Sequence, residues 1–218
     1  MVPKRKGSNV ISDNNSMSGV QTLGSHARVS RGPCEYLTLV FSPLSAPLRS
    51  RWRNNGFSAD FLSDYVTTFL PRSDDSASPA VLQDEVKHAV SYIANELLEN
   101  AMKYHEKLID TPIQIRLELS TDYVTISASN GVGRDQAQQY KAFIHNLLTE
   151  DPGELMMHQL EAASLESSDA SSVGLLTMMS DYGAELGWCF DSESTETNSV
   201  TVTTRAMLSL KNILGVSA

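Results

Sequence analysis

A long helical stretch bounded by prolines runs directly into two short stretches of period two, and this pattern limits the fold more than any other. Ser78 and Pro79 suit an N-cap and first helical position, and the stretch is predicted to run to about Leu108, where Asp110, Thr111 and Pro112 break it. Beyond the break, Ile113, Ile115, Leu117 and Leu119 alternate with Gln114, Arg116 and Glu118. After Ser120-Thr121-Asp122, the run Tyr123–Ser129 alternates again. Side chains of a strand point to opposite faces in turn, so both runs read as half-buried strands of an antiparallel hairpin.

The flanking sequence extends the pattern. Glu35–Phe41 is apolar and β-branched and reads as a strand. Ser42-Pro43 opens a short helix stopped at Asn54-Asn55-Gly56, and Ser58 caps a second helix ending at Pro71. Asn130-Gly131-Val132-Gly133 ends the second hairpin strand, and a helix is predicted over 135–149. Residues 154–171 read as a mobile, lid-like segment with some helix. Val173–Asp181 reads as a short helix stopped by Gly183, and Ala184–Phe190 with Ser199–Ala206 as a last hairpin. The expected fold is therefore α+β, a two-layer α/β sandwich whose mixed, mostly antiparallel sheet is covered on one face by helices. Residues 1–34 read as a flexible tail, 35–72 as a strand and two helices packed on or flanking the domain, 79–207 as the domain, and 208–218 as a C-terminal tail.

Composition narrows the function. The formal net charge of −9 argues against a general nucleic-acid binder, which needs clustered Lys and Arg to neutralise phosphates. A nucleotide site remains open, because a single Lys, backbone amides and a bound metal can meet phosphates locally. The two cysteines, Cys34 and Cys189, form no disulfide framework and have no metal-ligand spacing. No apolar run approaches the roughly 18–20 residues that cross a bilayer, and no apolar segment follows the basic start, so a cytoplasmic protein without membrane association is expected.

The chemistry-bearing segment lies in the long helix. Glu96, Asn100 and Lys103 stand at i, i+4 and i+7, one narrow stripe, with Ile93, Leu97, Leu98, Ala101 and Tyr104 crowding its flanks. A carboxylate can accept a proton, an amide oxygen is a hard ligand suited to Mg²⁺, and an ammonium can meet a phosphate. Taken alone, the stripe reads better as a solvated helix face with a Glu99–Lys103 ion pair. His105 reads as a surface residue and Trp188 as core. Arg49, Arg51 and Arg53 around Trp52 read as a solvated helix face or a partner surface.

Glu96-Leu97-Leu98-Glu99-Asn100-Ala101-Met102-Lys103-Tyr104 resembles the N-box of the GHKL ATPase superfamily. The resemblance implies ATP and Mg²⁺ as ligands, with Asn100 holding the metal, Glu96 as general base and Lys103 near the phosphates. It implies two further elements. One is an Asp-containing glycine turn that reads adenine, represented by Ser129-Asn130-Gly131-Val132-Gly133, with Ser129 where the family has Asp and Asn130 next to it as an acceptor. The other is a glycine-rich turn opening a short helix that cradles phosphates, represented by Ser172-Val173-Gly174-Leu175, with one glycine of the pattern kept.

The chain is too short for a transducer domain, and Ser42–Pro71 contains no phospho-acceptor His. Residues 35–71 and 175–188 resemble the stand-alone anti-sigma-factor serine kinases and SiaB-type regulatory kinases of bacterial partner switching. That resemblance implies a Ser/Thr kinase acting on a STAS-domain partner. A catalytically inactive pseudo-ATPase that serves as an interaction module is the alternative, motivated by Ser129, and a homodimer is compatible with either.

Overall fold

The structure, a computed structural model, describes residues 19–25, 34–42, 52–70, 78–151, 154–155, 157, 171–192 and 198–213. Its strands are β1 (Val20–Gly24), β2 (Glu35–Phe41), β3 (Ile113–Leu119), β4 (Tyr123–Gly133), β5 (Glu185–Asp191) and β6 (Ser199–Ser209). Its helices are α1 (Trp52–Thr67), α2 (Ser78–Tyr104), α3 (Arg134–Thr149), α4 (Ser171–Ser180) and the single turn α5 (Leu210–Ile213).

The strands form one sheet in the order β1-β5-β6-β4-β3-β2, and every pair is antiparallel. Register explains its two faces. Ile115 pairs with Ala128 and Leu117 with Ile126, while Ile126 pairs with Ala206 and Val124 with Leu208. These residues are buried and meet the helices, continuing through Leu186, Trp188 and Phe190 on β5. The alternate residues, among them Thr38, Arg116, Ser127, Ser129 and Thr203, share the opposite face. The protein is an α+β, two-layer sandwich.

Helix α2 is the central element of the helical layer. Val86, Val90, Ile93, Ala94, Leu97, Leu98 and Ala101 recur three or four residues apart and are all buried. The helix packs on β3 and β4 below and on α1 and α4 beside it. Full burial of a side chain such as Ile93 contributes roughly 1.5–3 kcal/mol, so this stripe anchors the layer.

Several sequence expectations are corrected. Within the supposed tail, Val20–Gly24 forms β1, hydrogen-bonded along β5. Edge pairing orders this segment; its side chains carry little periodicity, since only Thr22 and Leu23 are even half-buried. The rest of 1–34 lies mostly outside the described residues. One helix, α1, runs through Asn54-Asn55-Gly56, where a stop and a new cap at Ser58 were expected. Burial of Asn55, Ala59, Leu62 and Val66 on one stripe against α2 outweighs the local turn signal. The expected helix start at Ser42-Pro43 falls largely outside the described residues.

Helix α2 ends at Tyr104, not Leu108, because His105 turns inward and leaves Leu108 94% exposed. Strand β4 continues through Asn130–Gly133, pairing with Val202, Thr201, Val200 and Ser199, where the strand was expected to end. Residues 208 and 209 belong to β6 and 210–213 to α5, so the C-terminal tail begins later than expected. Of the lid-like segment little is described; Leu155 is buried and its N–H donates to the Asp151 carbonyl at 2.9 Å.

Candidate functional site

Three contacts lock α4 to α2 in antiparallel sense. The Tyr92 hydroxyl is hydrogen-bonded to the Thr177 side chain. The Tyr92 ring stacks on Tyr182 at 5.1 Å between centroids. One turn further along α2, the Glu96 carboxylate lies directly against the backbone of Gly174, where a β-carbon would collide with it. Advancing along α2 from Tyr92 to Glu96 thus retreats along α4 from Thr177 to Gly174. Asn100 follows Glu96 by four residues, about 6 Å along α2, and α4 begins three residues before Gly174, at Ser171. The first N–H groups of a helix have no partner within it and favour anions. Glycine at 174 is what permits this approach.

Glu96 is half-buried, and burial pushes its carboxyl above the usual carboxylate range, with repulsion from Glu99 adding to it. Two acidic side chains three residues apart on one helix oppose each other's ionisation. Glu99 itself accepts a hydrogen bond from the Asn95 amide at 2.9 Å, which draws it along the neighbouring side of the helix. Asn100 is half-buried and Lys103 exposed, its ammonium 5.1 Å from the centre of the Tyr104 ring.

The second glycine element closes the far end of α2. Glu106 N–H donates to the Gly131 carbonyl at 2.9 Å, and Gly131 N–H donates to His105 Nδ1 at 3.4 Å. His105 Nε2 meets the Ile109 carbonyl at 3.1 Å. A carbonyl only accepts, so the proton sits on Nε2 and the ring is neutral. Burial accordingly holds His105 below the usual histidine range. The residue expected at the surface is 6% exposed and fastens β4 where β3 has ended.

Gly131 is therefore not a turn residue. A β-carbon there would come within 2.7 Å of Ile109 Cγ2 and 3.1 Å of Thr111 Cβ, so the close approach is to the chain's own loop. Gly133 is the extended residue ahead of α3. Gly174 lies within α4 and not in a turn before it.

The two residues considered for the missing acidic position are separated by the sheet. Ser129 Oγ is 2.8 Å from Thr203 Oγ1, on the face away from the helices. Asn130 follows the register of Ala128 and Val132 and faces the helical layer, 7% exposed, with its Nδ2 unpartnered and buried. Leu175 joins the core at 2% exposure, and Ser172 lies in the first turn of α4. The fold thus groups Glu96 and Gly174, sets Asn100 beside them, puts Asn130 on the helix-facing side of β4, and turns Ser129 away.

Tyr92, Thr177 and Tyr182 were not singled out from sequence. Tyr92 stands four residues before Glu96, on the same stripe, which is the one signal that could have marked it. Trp188 is core as expected, with Nε1 donating to the Tyr140 hydroxyl on α3 at 2.9 Å. Among the described residues, no group of three or more His, Cys, Asp or Glu is placed to hold a metal ion. No helix among them is long and apolar enough to cross a membrane.

No protein-family description matches the sequence, and no curated protein matches it. Among solved structures, the fold is similar to a chain of "The crystal structure of SiaB-SiaC complex from Pseudomonas aeruginosa". The TM-score is 0.52 at 18% sequence identity, over 79% of this chain and 89% of that one. At that identity the likeness is one of fold.

Proposed function

We propose that this protein is a regulatory, nucleotide-binding protein kinase that phosphorylates a Ser or Thr on a STAS-domain partner. The observation that carries the reading is the seat of Glu96: a half-buried carboxylate with raised proton affinity, packed on the glycine of α4 beside that helix's N-terminal turn. A general base works best with a pKa moved toward the operating pH, and phosphates are favoured at helix N-termini. Both requirements meet at Glu96, which stands about one turn before Asn100 on α2.

In this reading Glu96 orients the acceptor hydroxyl and takes its proton. Asn100 offers a hard oxygen that suits Mg²⁺, Lys103 supplies positive charge at the end of the stripe, and the N–H groups of α4 meet phosphate oxygens. Asn130 faces the same layer with a spare amide, which suits a polar group of the base. The metal, when bound, neutralises charge on the phosphates, and phosphoryl transfer otherwise asks mainly for positioning. A protein partner is supported by the sequence resemblance to partner-switching regulators and by the similar fold having been solved in a SiaB-SiaC complex.

Glu96→Ala should abolish phosphorylation of the partner while leaving the complex intact; transfer by that variant would refute the role. Calorimetry with ATP and Mg²⁺ should show binding tighter than about 100 μM, lost in Asn100→Ala. One observation favours a second reading, a pseudo-ATPase that binds partners without chemistry. No carboxylate occupies the Ser129–Asn130 position, and Ser129 is engaged with Thr203 on the opposite face. Absence of nucleotide binding, with partner binding retained, would select that reading.

A further inference from the structure

The stretch of β4 that carries Asn130 is paired with a strand along one edge and not the other. On one edge Asn130, Gly131 and Val132 pair with Val202, Thr201 and Val200 of β6. On the other, the register with β3 ends at Gln114 and Ser129, one residue short of Asn130. A buried edge needs partners for its backbone groups, and the residues that follow α2 supply them. Gly131 N–H donates to His105 Nδ1, and the Gly131 carbonyl accepts from Glu106 N–H. Both polar groups of one β4 residue are thus held by two consecutive residues at the end of the helix. His105 Nε2 is held in turn by the Ile109 carbonyl.

This clasp joins the two elements on which nucleotide binding would depend. His105 directly follows α2, which carries Glu96, Asn100 and Lys103. Gly131 directly follows Asn130, whose side chain faces the helical layer, 7% exposed and with Nδ2 unpartnered. The clasp is also conditional. A neutral imidazole has one nitrogen that accepts and one that donates, and both are in use here. A charged ring donates from both nitrogens and has no lone pair left for the Gly131 N–H. Two donors would then face each other inside the fold, where neither can turn to water. The surroundings do little to oppose this. Around Gly131, neither β4 nor the β6 residues paired with it carry a titratable group. Lys103, Glu106, Lys107 and Asp110 are exposed, and Glu106 favours the charged ring without overcoming burial.

We propose that His105 is a positioning residue of the candidate site, an inference that rests on the nucleotide-binding function proposed above. Its neutral ring fixes the strand of Asn130 relative to the helix of Glu96 and Asn100. Protonation releases that strand from the end of α2, so nucleotide binding weakens as pH falls. Linkage makes the effect reciprocal: a nucleotide that prefers the clasped state expels the proton wherever the free chain holds one.

The test compares the full-length wild type with His105→Gln, whose amide pairs an acceptor with a donor at every pH, and with His105→Ala, which offers neither. Calorimetry with ATP and Mg²⁺ runs from about pH 7.5 to about pH 5.5, across the range in which a histidine titrates. It is read as a difference between chains, because the nucleotide phosphates and Glu96 titrate in all of them. At the upper pH, His105→Gln should match wild type within about threefold, and His105→Ala should bind roughly tenfold more weakly. On acidification, wild type should lose up to about tenfold per pH unit relative to His105→Gln, the slope of one linked proton. Without nucleotide, the NMR signals of the Gly131 N–H and the Asn130 side-chain amide should move in wild type as the His105 ring titrates, and stay still in His105→Gln. If His105→Ala fails to fold, the Gln comparison and these signals carry the test. Parallel affinity profiles for wild type and His105→Gln, or signals that ignore the ring titration, would overturn the proposal. If none of the chains binds nucleotide at any pH, the function proposed above fails, and the effect on affinity with it, while the NMR signals still decide whether the clasp opens.

Discussion

The carboxylate of Glu96 occupies the space that a β-carbon on Gly174 would need, so the two residues bring α2 and α4 into direct contact. Gly174→Ala pushes the carboxylate aside, because it meets the far end of a flexible side chain. Alanine in a helix interior gains roughly 0.5–1 kcal/mol over glycine, which offsets the lost packing. Denaturant unfolding should therefore change by less than about 1 kcal/mol while phosphoryl transfer falls by at least about tenfold. Loss of stability without loss of transfer would count against a functional contact.

Glu96 also has a pH signature. Burial raises its proton affinity in the folded state, so the folded chain binds more protons than the unfolded chain above the ordinary carboxyl value of 4.5. Its contribution to stability is full below that value and declines as pH rises through the shifted one. Glu96→Gln should thus raise the melting temperature slightly at neutral pH and leave it unchanged near pH 3. The same shift should move the acidic limb of the transfer rate above the range of an ordinary carboxylate.

His105 predicts the opposite slope. Its neutral ring accepts from Gly131 and donates to Ile109, and burial lowers its proton affinity. The folded chain then binds fewer protons than the unfolded one, so this contribution is present above the ordinary value of 6.5 and lost as pH falls below it. His105→Ala leaves a buried N–H unpaired and should cost about 1–3 kcal/mol at pH 8. Urea titrations of wild type and variant between pH 5 and 8 would converge toward the acid end; parallel curves would exclude the histidine as their source.

Gly131→Ala forces a methyl group toward Ile109 and Thr111, both β-branched and held by the same loop. A loss of about 1–3 kcal/mol is expected by chemical denaturation. Hydrogen exchange should quicken first at Glu106, whose N–H bonds to the Gly131 carbonyl.

Tyr140 joins α3 to the sheet through Trp188, and the hydroxyl is also 3.4 Å from Thr204 Oγ1. Tyr140→Phe keeps the ring packed on Phe190 but leaves the indole N–H of a fully buried Trp188 without its acceptor. The cost should be about 1–3 kcal/mol, with a shift in tryptophan fluorescence of the folded state.

By itself the sequence determined what local periodicity encodes: the long α2, the β3–β4 hairpin, the closing β5–β6 hairpin and, with them, the layered α+β class. It also placed Glu96, Asn100 and Lys103 on one stripe, because 3.6 residues per turn leaves no other arrangement. Tertiary structure decided the rest. Val20–Gly24 became a strand through backbone pairing with β5, α1 ran through Asn54-Asn55-Gly56 because α2 buries its stripe, and β4 ran through its glycines because β6 and His105 supply partners. Which of Ser129 and Asn130 faces the helices, and that Glu96 meets Gly174 across 78 positions of chain, depend on sheet register and helix packing. Those are long-range contacts, and a local pattern of side chains holds no information about which distant backbone will lie against it.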